Sequence, residues 1–282
     1  LRKTLKKGQE MDEFRDKVVA ITGGATGIGF ALAKAFGEEG AKILIGEPRQ
    51  EKVDEAVKNL RALGVECDST LLDVTELASV EHFAEFAWQR HGKVDMLINN
   101  AGISGARGLL HEADLEEAHK VFDVNFFGVW HGCSVFGQRM IEQGTPAAIY
   151  NLGSENSLFI AVPKSIAYVA SKHAVLGLSE SLRDDLPDFI QVGTIFPGYV
   201  DTPLTGNASG GMNADEFASI VLTQIAAGEH FIVSHGHNMV HIEKRYHEIE
   251  KAYSTYAPRY PGDDEYDVRK LIADHKLRKA KK

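Results

Sequence analysis

The chain has 282 residues, 44% hydrophobic and 25% charged, which is ordinary for a water-soluble globular protein and long enough for one large domain. A net charge of −9 argues against a nucleic-acid partner over the whole body. No apolar run nears the roughly 18 residues of a membrane span, and no signal-peptide core follows the basic start, so neither membrane nor secretion is expected. Cys67 and Cys133 match neither a disulfide framework nor metal-ligand spacing, which makes a reducing cytoplasm the default location.

Residues 1–11 form a basic tail without hydrophobic period. KVVAIT (17–22) is then an apolar, β-branched run, and FALAKAFGEEG (30–40) has helical periodicity ended by a glycine. KILIG (42–46), STLLDV (69–74), VDMLIN (94–99), AAIYNL (147–152), IQVGTIF (190–196) and HFIVS (230–234) read as further strands. Helices are predicted at 51–63, 76–92, 113–142, 165–186 and 213–228, with Asn213 as a cap. Seven buried-looking strands separated by helices predict a parallel sheet covered on both faces, a three-layer, doubly wound α/β Rossmann arrangement. No linker interrupts residues 12–240, which are read as one domain. Residues 241–282 make a helical extension, beginning with the helix at 238–253 and ending in the basic LIADHKLRKAKK, a solvated tail.

The first strand runs into TGGATGIG (22–29) and then directly into a helix. Glycines permit the backbone angles of a tight turn and leave room for a pyrophosphate, and a helix start offers free N–H groups to an anion. Thr22, Gly23, Thr26, Gly27, Ile28 and Gly29 are therefore the candidate dinucleotide cradle. Glu47 follows the second strand, 24 positions after Gly23, where a carboxylate accepts hydrogen bonds from a ribose diol and repels a 2′-phosphate. It points to NAD, while Arg49, two positions on, keeps NADP open. Asp73 and Val74 close the third strand near the expected adenine, with a helix-capping role the alternative for Asp73.

Tyr168 and Lys172 lie four positions apart on a predicted helix, so their side chains meet. An ammonium beside a phenol lowers the phenol's pKa, which suits a tyrosine to proton exchange near neutral pH.

Taken in order, TGGATGIG (22–29), LDV (72–74), NNAG (99–102), VNFFG (124–128), YVASK (168–172) and FPGYVDT (196–202) resemble the short-chain dehydrogenase/reductase family, in its compact one-domain branch. The likeness is close from residue 17 to about 203. It implies a metal-free oxidoreductase with NAD, or alternatively NADP, interconverting a secondary alcohol and a ketone or aldehyde. By position it makes Tyr168 the general acid/base, Lys172 its partner and ribose ligand, and Asn125 the support of a water relay behind that lysine. Asn99, Asn100, Ala101 and Gly102 would form the wall by the adenosine. Pro197, Gly198, Val200 and Thr202 would fix the nicotinamide carboxamide. The family's serine usually stands thirteen positions before the tyrosine, where this chain has Glu155. A one-residue insertion makes Ser154 the candidate, with Ser157 the alternative, and places Glu155 and Asn156 near the pocket mouth.

Leu158, Phe159, Val162, Tyr199 and Leu204 are candidate apolar pocket residues, and the glycine-rich segment 202–212 is expected to cover the substrate lightly. His235 and His237 lack an evident third metal ligand and read as ordinary turn histidines. The resemblance also implies a homodimer or homotetramer built on the helices at 113–142 and 165–186. Rival readings are a nucleotide-binding sensor or scaffold without turnover, and an isomerase or dehydratase using NAD transiently.

Overall fold

The computed structural model describes residues 13–105, 107–206 and 210–280. The N-terminal tail lies outside them, as do three residues of the glycine-rich segment after Thr202. The chain divides into two units, one running to Gly236 and one from His237 onward.

The first unit is built on seven strands: β1 (Val18–Thr22), β2 (Lys42–Glu47), β3 (Cys67–Leu71), β4 (Met96–Asn99), β5 (Ala147–Leu152), β6 (Ile190–Phe196) and β7 (Phe231–Val233). They pair in the order β3-β2-β1-β4-β5-β6-β7, every neighbour parallel. The expected seven-stranded parallel Rossmann sheet is present. β3 begins two residues earlier than predicted and stops at Leu71, the partner of the last residue of β2. As an edge strand it has no second neighbour to hold Leu72–Val74 in the sheet.

Helices α1 (Gly27–Glu38), α2 (Gln50–Ala62) and α3 (Leu77–His91) alternate with the first strands. The predicted single helix at 113–142 is in fact α4 (Leu115–Phe122), a π-helical turn (Asp123–Phe127) and α5 (Gly128–Gln143). α6 (Ile166–Asp185) and α7 (Ala214–Ala226) complete the layers. The strand period of two sorts β1 between two cores. Val19 and Ile21 pack with Leu32, Phe36 and Phe217 on the α1/α7 face. Val18 and Ala20 pack with Phe83, Val129 and Phe136 on the α3/α5 face. Burying an apolar side chain of this size stabilises by roughly 1.5–3 kcal/mol, so the two faces anchor a rigid platform. The chain order reverses between β1 and β4, which opens a crevice at their carboxyl ends, the place where such sheets bind ligands.

The second unit contains α8 (Met239–Tyr256) and α9 (Val268–Ala280). Part of the expected basic tail is therefore helical. Arg259 pairs with Asp263, and Lys270 with Asp264, around the turn between these helices. No helix among the described residues is long and apolar enough to cross a membrane.

Candidate active site

A cavity of about 570 Å³ occupies the crevice, with Glu47 and the glycine turn at one end and Ser154, Tyr168 and Lys172 at the other. Three strand ends build the turn. Gly23 adopts φ +63°, in the region that only glycine enters without strain, and its N–H donates to the Gly46 carbonyl at 2.7 Å. Asn100, at the end of β4, reaches back and donates its amide to the carbonyls of Thr22 (2.9 Å) and Gly23 (3.0 Å). The Thr22 hydroxyl accepts the N–H groups of Asn100 and Ala101, both at 3.0 Å. Thr22 thus supports the wall from behind and does not line the cavity, where the sequence suggested a contact. Gly29 is likewise a packing position. A Cβ there would come within 2.3 Å of the Gly23 carbonyl oxygen and 2.5 Å of the Asn100 amide. Gly23, Thr26, Gly27 and Ile28 do line the space. Thr26 at the start of α1 makes no side-chain cap, which leaves the first-turn N–H groups available to an anion.

Glu47 is buried at the end of β2 and ion-pairs with Arg49, which is half exposed, and both border the cavity. Its partner Glu47 raises the Arg49 guanidinium above its ordinary pKa. Asp73 also borders the cavity, and one carboxylate oxygen accepts the Thr75 N–H (3.0 Å) and hydroxyl (2.7 Å). It holds its own turn and does not cap α3. Val74, Ala101 and Gly102 continue the wall. Asn99, expected in it, turns away. Its amide donates to Asn151 at 2.8 Å and to the Cys133 sulfur at 3.4 Å, beneath α5. The strand alternation explains this, because Asn99 shares a face with Leu97 and the α3/α5 core.

At the other end, Lys172 is buried and its ammonium donates to the Leu152 carbonyl at 2.7 Å. Burial pulls its pKa down to about 8. Tyr168 is partly buried, and its ring centroid lies 5.8 Å from Lys172 Nζ. The pair is close, as the spacing predicts, but the phenol's pKa is shifted the opposite way from expectation. Burial pushes it up, a hydrogen bond from Ser154 opposes that, and the nearby Glu155 charge adds to the rise. Desolvation is the largest of these influences, and the lysine ammonium is directed to a carbonyl.

Ser154 lines the cavity with Tyr168 and favours the ionised phenol. Ser157 does not line it. Its hydroxyl donates to the Lys172 carbonyl at 2.7 Å and accepts the Ser154 N–H at 3.2 Å, so it ties the serine turn to α6. Asn125 is fully buried in the π-helical turn and also lies outside the cavity lining. Its Oδ1 accepts the Ile103 N–H (2.8 Å), and its amide donates to the Ile103 carbonyl (2.9 Å) and the Ser171 hydroxyl (3.1 Å). Gly102 sits against both Asn125 and Lys172. A Cβ on it would be 3.3 Å from Asn125 Oδ1 and 3.7 Å from Lys172 Nζ.

Pro197, Gly198, Val200 and Thr202 line the cavity as expected. Against them packs one of the two histidines expected only in a turn. The His235 ring packs so closely on Gly198 that a Cβ there would come within 2.4 Å of it. No metal-binding cluster of His, Cys, Asp or Glu occurs among the described residues. Of the five proposed apolar pocket residues, only Leu204 borders the cavity, while Ile103 and Val124 border it unforeseen. Phe159 is buried in the core, and Tyr199 is exposed outside the lining. The segment after Thr202 is pinned where it is described. Asp201 N–H donates to the Met212 carbonyl, and Met212 N–H to that of Tyr199, both at 2.9 Å.

These features fit a dinucleotide: a glycine cradle, an uncapped helix start, and a buried carboxylate bordering the same cavity. Comparison with known proteins agrees. The family model for short chain dehydrogenase matches residues 17–213. A 1-deoxy-11-beta-hydroxypentalenate dehydrogenase from Streptomyces avermitilis is 32% identical over 239 residues, covering 81% of this chain and 88% of its own. A short chain dehydrogenase/reductase from Burkholderia phymatum, solved in complex with NAD, superposes with a TM-score of 0.80 at 30% identity, covering 89% of this chain and 98% of the other. A gluconate 5-dehydrogenase from Burkholderia cenocepacia, solved with NADP and tartrate, has a TM-score of 0.73 at 28% identity, covering 82% and 98%.

Proposed function

The chain belongs to the short-chain dehydrogenase/reductase family of nicotinamide-dependent oxidoreductases, and we propose that it interconverts a secondary alcohol and a ketone with Tyr168 as the general acid/base. The observation that carries this reading is that Ser154, Tyr168 and Lys172 stand at one end of the cavity whose other end is the glycine turn and Glu47. A dinucleotide held along the cavity would have Glu47 for its ribose, and Tyr168 and Lys172 would serve its reacting end.

The cofactor, when bound, accepts or supplies the hydride, and in its oxidised form its positive ring favours the phenolate. Tyr168 takes the alcohol proton during oxidation and returns it during reduction. Ser154 donates a hydrogen bond to the substrate oxygen and so holds it within reach of the phenol. Lys172, anchored on the Leu152 carbonyl, is charged below about pH 8 and there favours an ionised tyrosine and binds ribose hydroxyls. Asn125 fixes Ile103, which lies in the cavity wall above Gly102. Ile103, Val124 and Leu204 give the substrate end an apolar lining, which favours an alcohol of moderate hydrophobicity. The relative named for dehydrogenating a hydroxypentalenate supports that class.

Glu47 makes NAD the preferred cofactor, its carboxylate meeting the ribose diol and repelling a 2′-phosphate. We also infer a homodimer through the π-helical turn, α5 and α6, whose surfaces expose Phe127, Trp130 and Ile166. The deciding experiment is a fluorescence titration of the purified protein with NADH and NADPH, followed by a ketone screen with the tighter cofactor. Saturable binding with NADH favoured, and NADH consumption with at least one ketone, is the expected result. Failure to bind either cofactor overturns the reading.

A further inference from the structure

Asn156 belongs to none of the motifs, yet it is buried and every hydrogen-bonding atom of its side chain facing the serine turn is engaged. Its Oδ1 accepts the N–H groups of Ala161 and Val162, both at 3.0 Å. Two backbone donors converging on one atom fix the amide's orientation, since an NH₂ group cannot accept them. Nδ2 therefore faces Ser154 Oγ, at 3.3 Å. The Asn156 backbone N–H donates to the same oxygen at 3.2 Å.

A serine hydroxyl has two acceptor lone pairs and one proton. Asn156 fills both lone pairs of Ser154, so this hydroxyl is left with donation alone. Tyr168 lines the same cavity, and the serine beside it pulls the phenol's pKa down against the effect of burial. We propose that Asn156 is a positioning residue that sets Ser154 as an obligatory donor, aimed at the Tyr168 oxygen in the free enzyme and at the substrate oxygen during reaction. The proposal deepens the reading of Tyr168 as the proton-carrying group and rests on it. Donation to a phenolate favours the ionised tyrosine, which offsets part of the burial that opposes ionisation. The same side chain also ties residues 161–162 to the serine turn, so both functions share one amide.

Asn156→Asp separates the two. One carboxylate oxygen still accepts from Ala161 and Val162, while the other now faces Ser154 as an acceptor and draws the serine proton away from Tyr168. The readout is the tyrosinate absorbance of Tyr168, taken as the pH-dependent difference between each protein and its Tyr168→Phe counterpart, with and without saturating NAD. The expected midpoint rises by about one pH unit or more in Asn156→Asp, as for loss of a hydrogen bond to a charged group. The added carboxylate charge contributes to that rise. The substitution is therefore repeated in the Ser154→Ala background, where the charge remains and the serine is gone, and the rise should shrink to the charge effect. An equal rise in both backgrounds, or none in either, overturns the proposal. If the aspartate variant does not fold, Asn156→Ala, which adds no charge, takes its place in the same pair of backgrounds. None of these measurements needs turnover. A Tyr168 midpoint that moves as expected in a protein that reduces no ketone with NADH would sink the catalytic reading and leave the positioning role standing.

Discussion

The two ends of the cavity are made of different material. At the nucleotide end the wall is largely backbone, as at Gly23, Gly27, Ala101 and Gly102, and the side chains of Thr22 and Asn100 work from behind to fix that backbone. At the reacting end the side chains of Ser154, Tyr168 and Lys172 line the space, and those of Asn125, Asn156 and Ser157 stand outside the lining with their hydrogen bonds committed. Holding a molecule of fixed shape requires room and oriented N–H groups, which a turn supplies. Moving a proton requires groups of defined direction and pKa, which only side chains supply. Substitutions at the first end should change binding, and those at the second should change chemistry.

The largest test of that division is Tyr168→Phe. It removes one oxygen and little volume, so cofactor affinity should change less than about twofold while hydride transfer to a ketone falls about 10²–10⁴-fold, the usual worth of a general acid/base. Stopped-flow loss of NADH fluorescence reads both. Gly29→Ala is the reciprocal test. The new Cβ meets the Gly23 carbonyl and the Asn100 amide, and that amide is already tied to the turn by two bonds, so nothing nearby yields cheaply. Urea unfolding should report about 1–3 kcal/mol of lost stability, and titration should show cofactor binding at least about tenfold weaker. A variant that binds NADH normally but turns over slowly would break the comparison.

Lys172 offers a test through pH. Its pKa is about 8 in the fold and about 10.4 in an unfolded chain. Between those values the unfolded state holds a proton that the folded state has released, so stability should rise with pH across that window. Below pH 8 burial of the charged lysine costs its full amount, about 3 kcal/mol from the pKa difference. Lys172→Met removes the titration. Its stability advantage over the parent should be greatest near pH 7 and shrink towards pH 10, measured by urea unfolding at fixed ionic strength. A constant difference across that range would mean that the bond to Leu152 fully compensates the burial.

What could be read from the sequence follows the same division. Gly23, Gly27, Glu47, Tyr168 and Lys172 were legible because geometry demands a residue type at a spacing: glycine where φ is positive, a carboxylate at a strand end, two side chains one helical turn apart. Asn99 was assigned to the wall although period-two alternation, followed from Leu97, sends it under α5. The motif was legible there, and the facing had to be counted. The direction of the Tyr168 shift was not legible, because four-residue spacing reveals proximity but says nothing about how far burial opposes charge. The π-helical turn broke a helix that periodicity read as continuous. One extra residue in a turn leaves the apolar pattern nearly unchanged, while Asn125 is bonded to both backbone groups of Ile103. Asn156 was expected with Glu155 near the pocket mouth, but it is buried outside the lining, and its bonds to backbone groups five and six residues away in an irregular loop leave no pattern in the sequence.

The smallest expected effect lies at an ion pair of side chains at the nucleotide end. Glu47 is buried and paired with the more exposed Arg49, so the carboxylate proposed for the ribose also holds the guanidinium. Glu47→Ala should weaken NADH about tenfold, near 1.4 kcal/mol, by removing the acceptor for the diol. It should also strengthen NADPH, because Arg49 loses its intramolecular partner and a guanidinium pairs well with phosphate. The NADPH gain should fade as salt is raised, since Arg49 is exposed enough to be screened. Arg49→Ala in the same background should erase it. If Glu47→Ala weakens both cofactors equally, the pair is a structural clasp, and discrimination at this end would rest on the shape of the backbone after all.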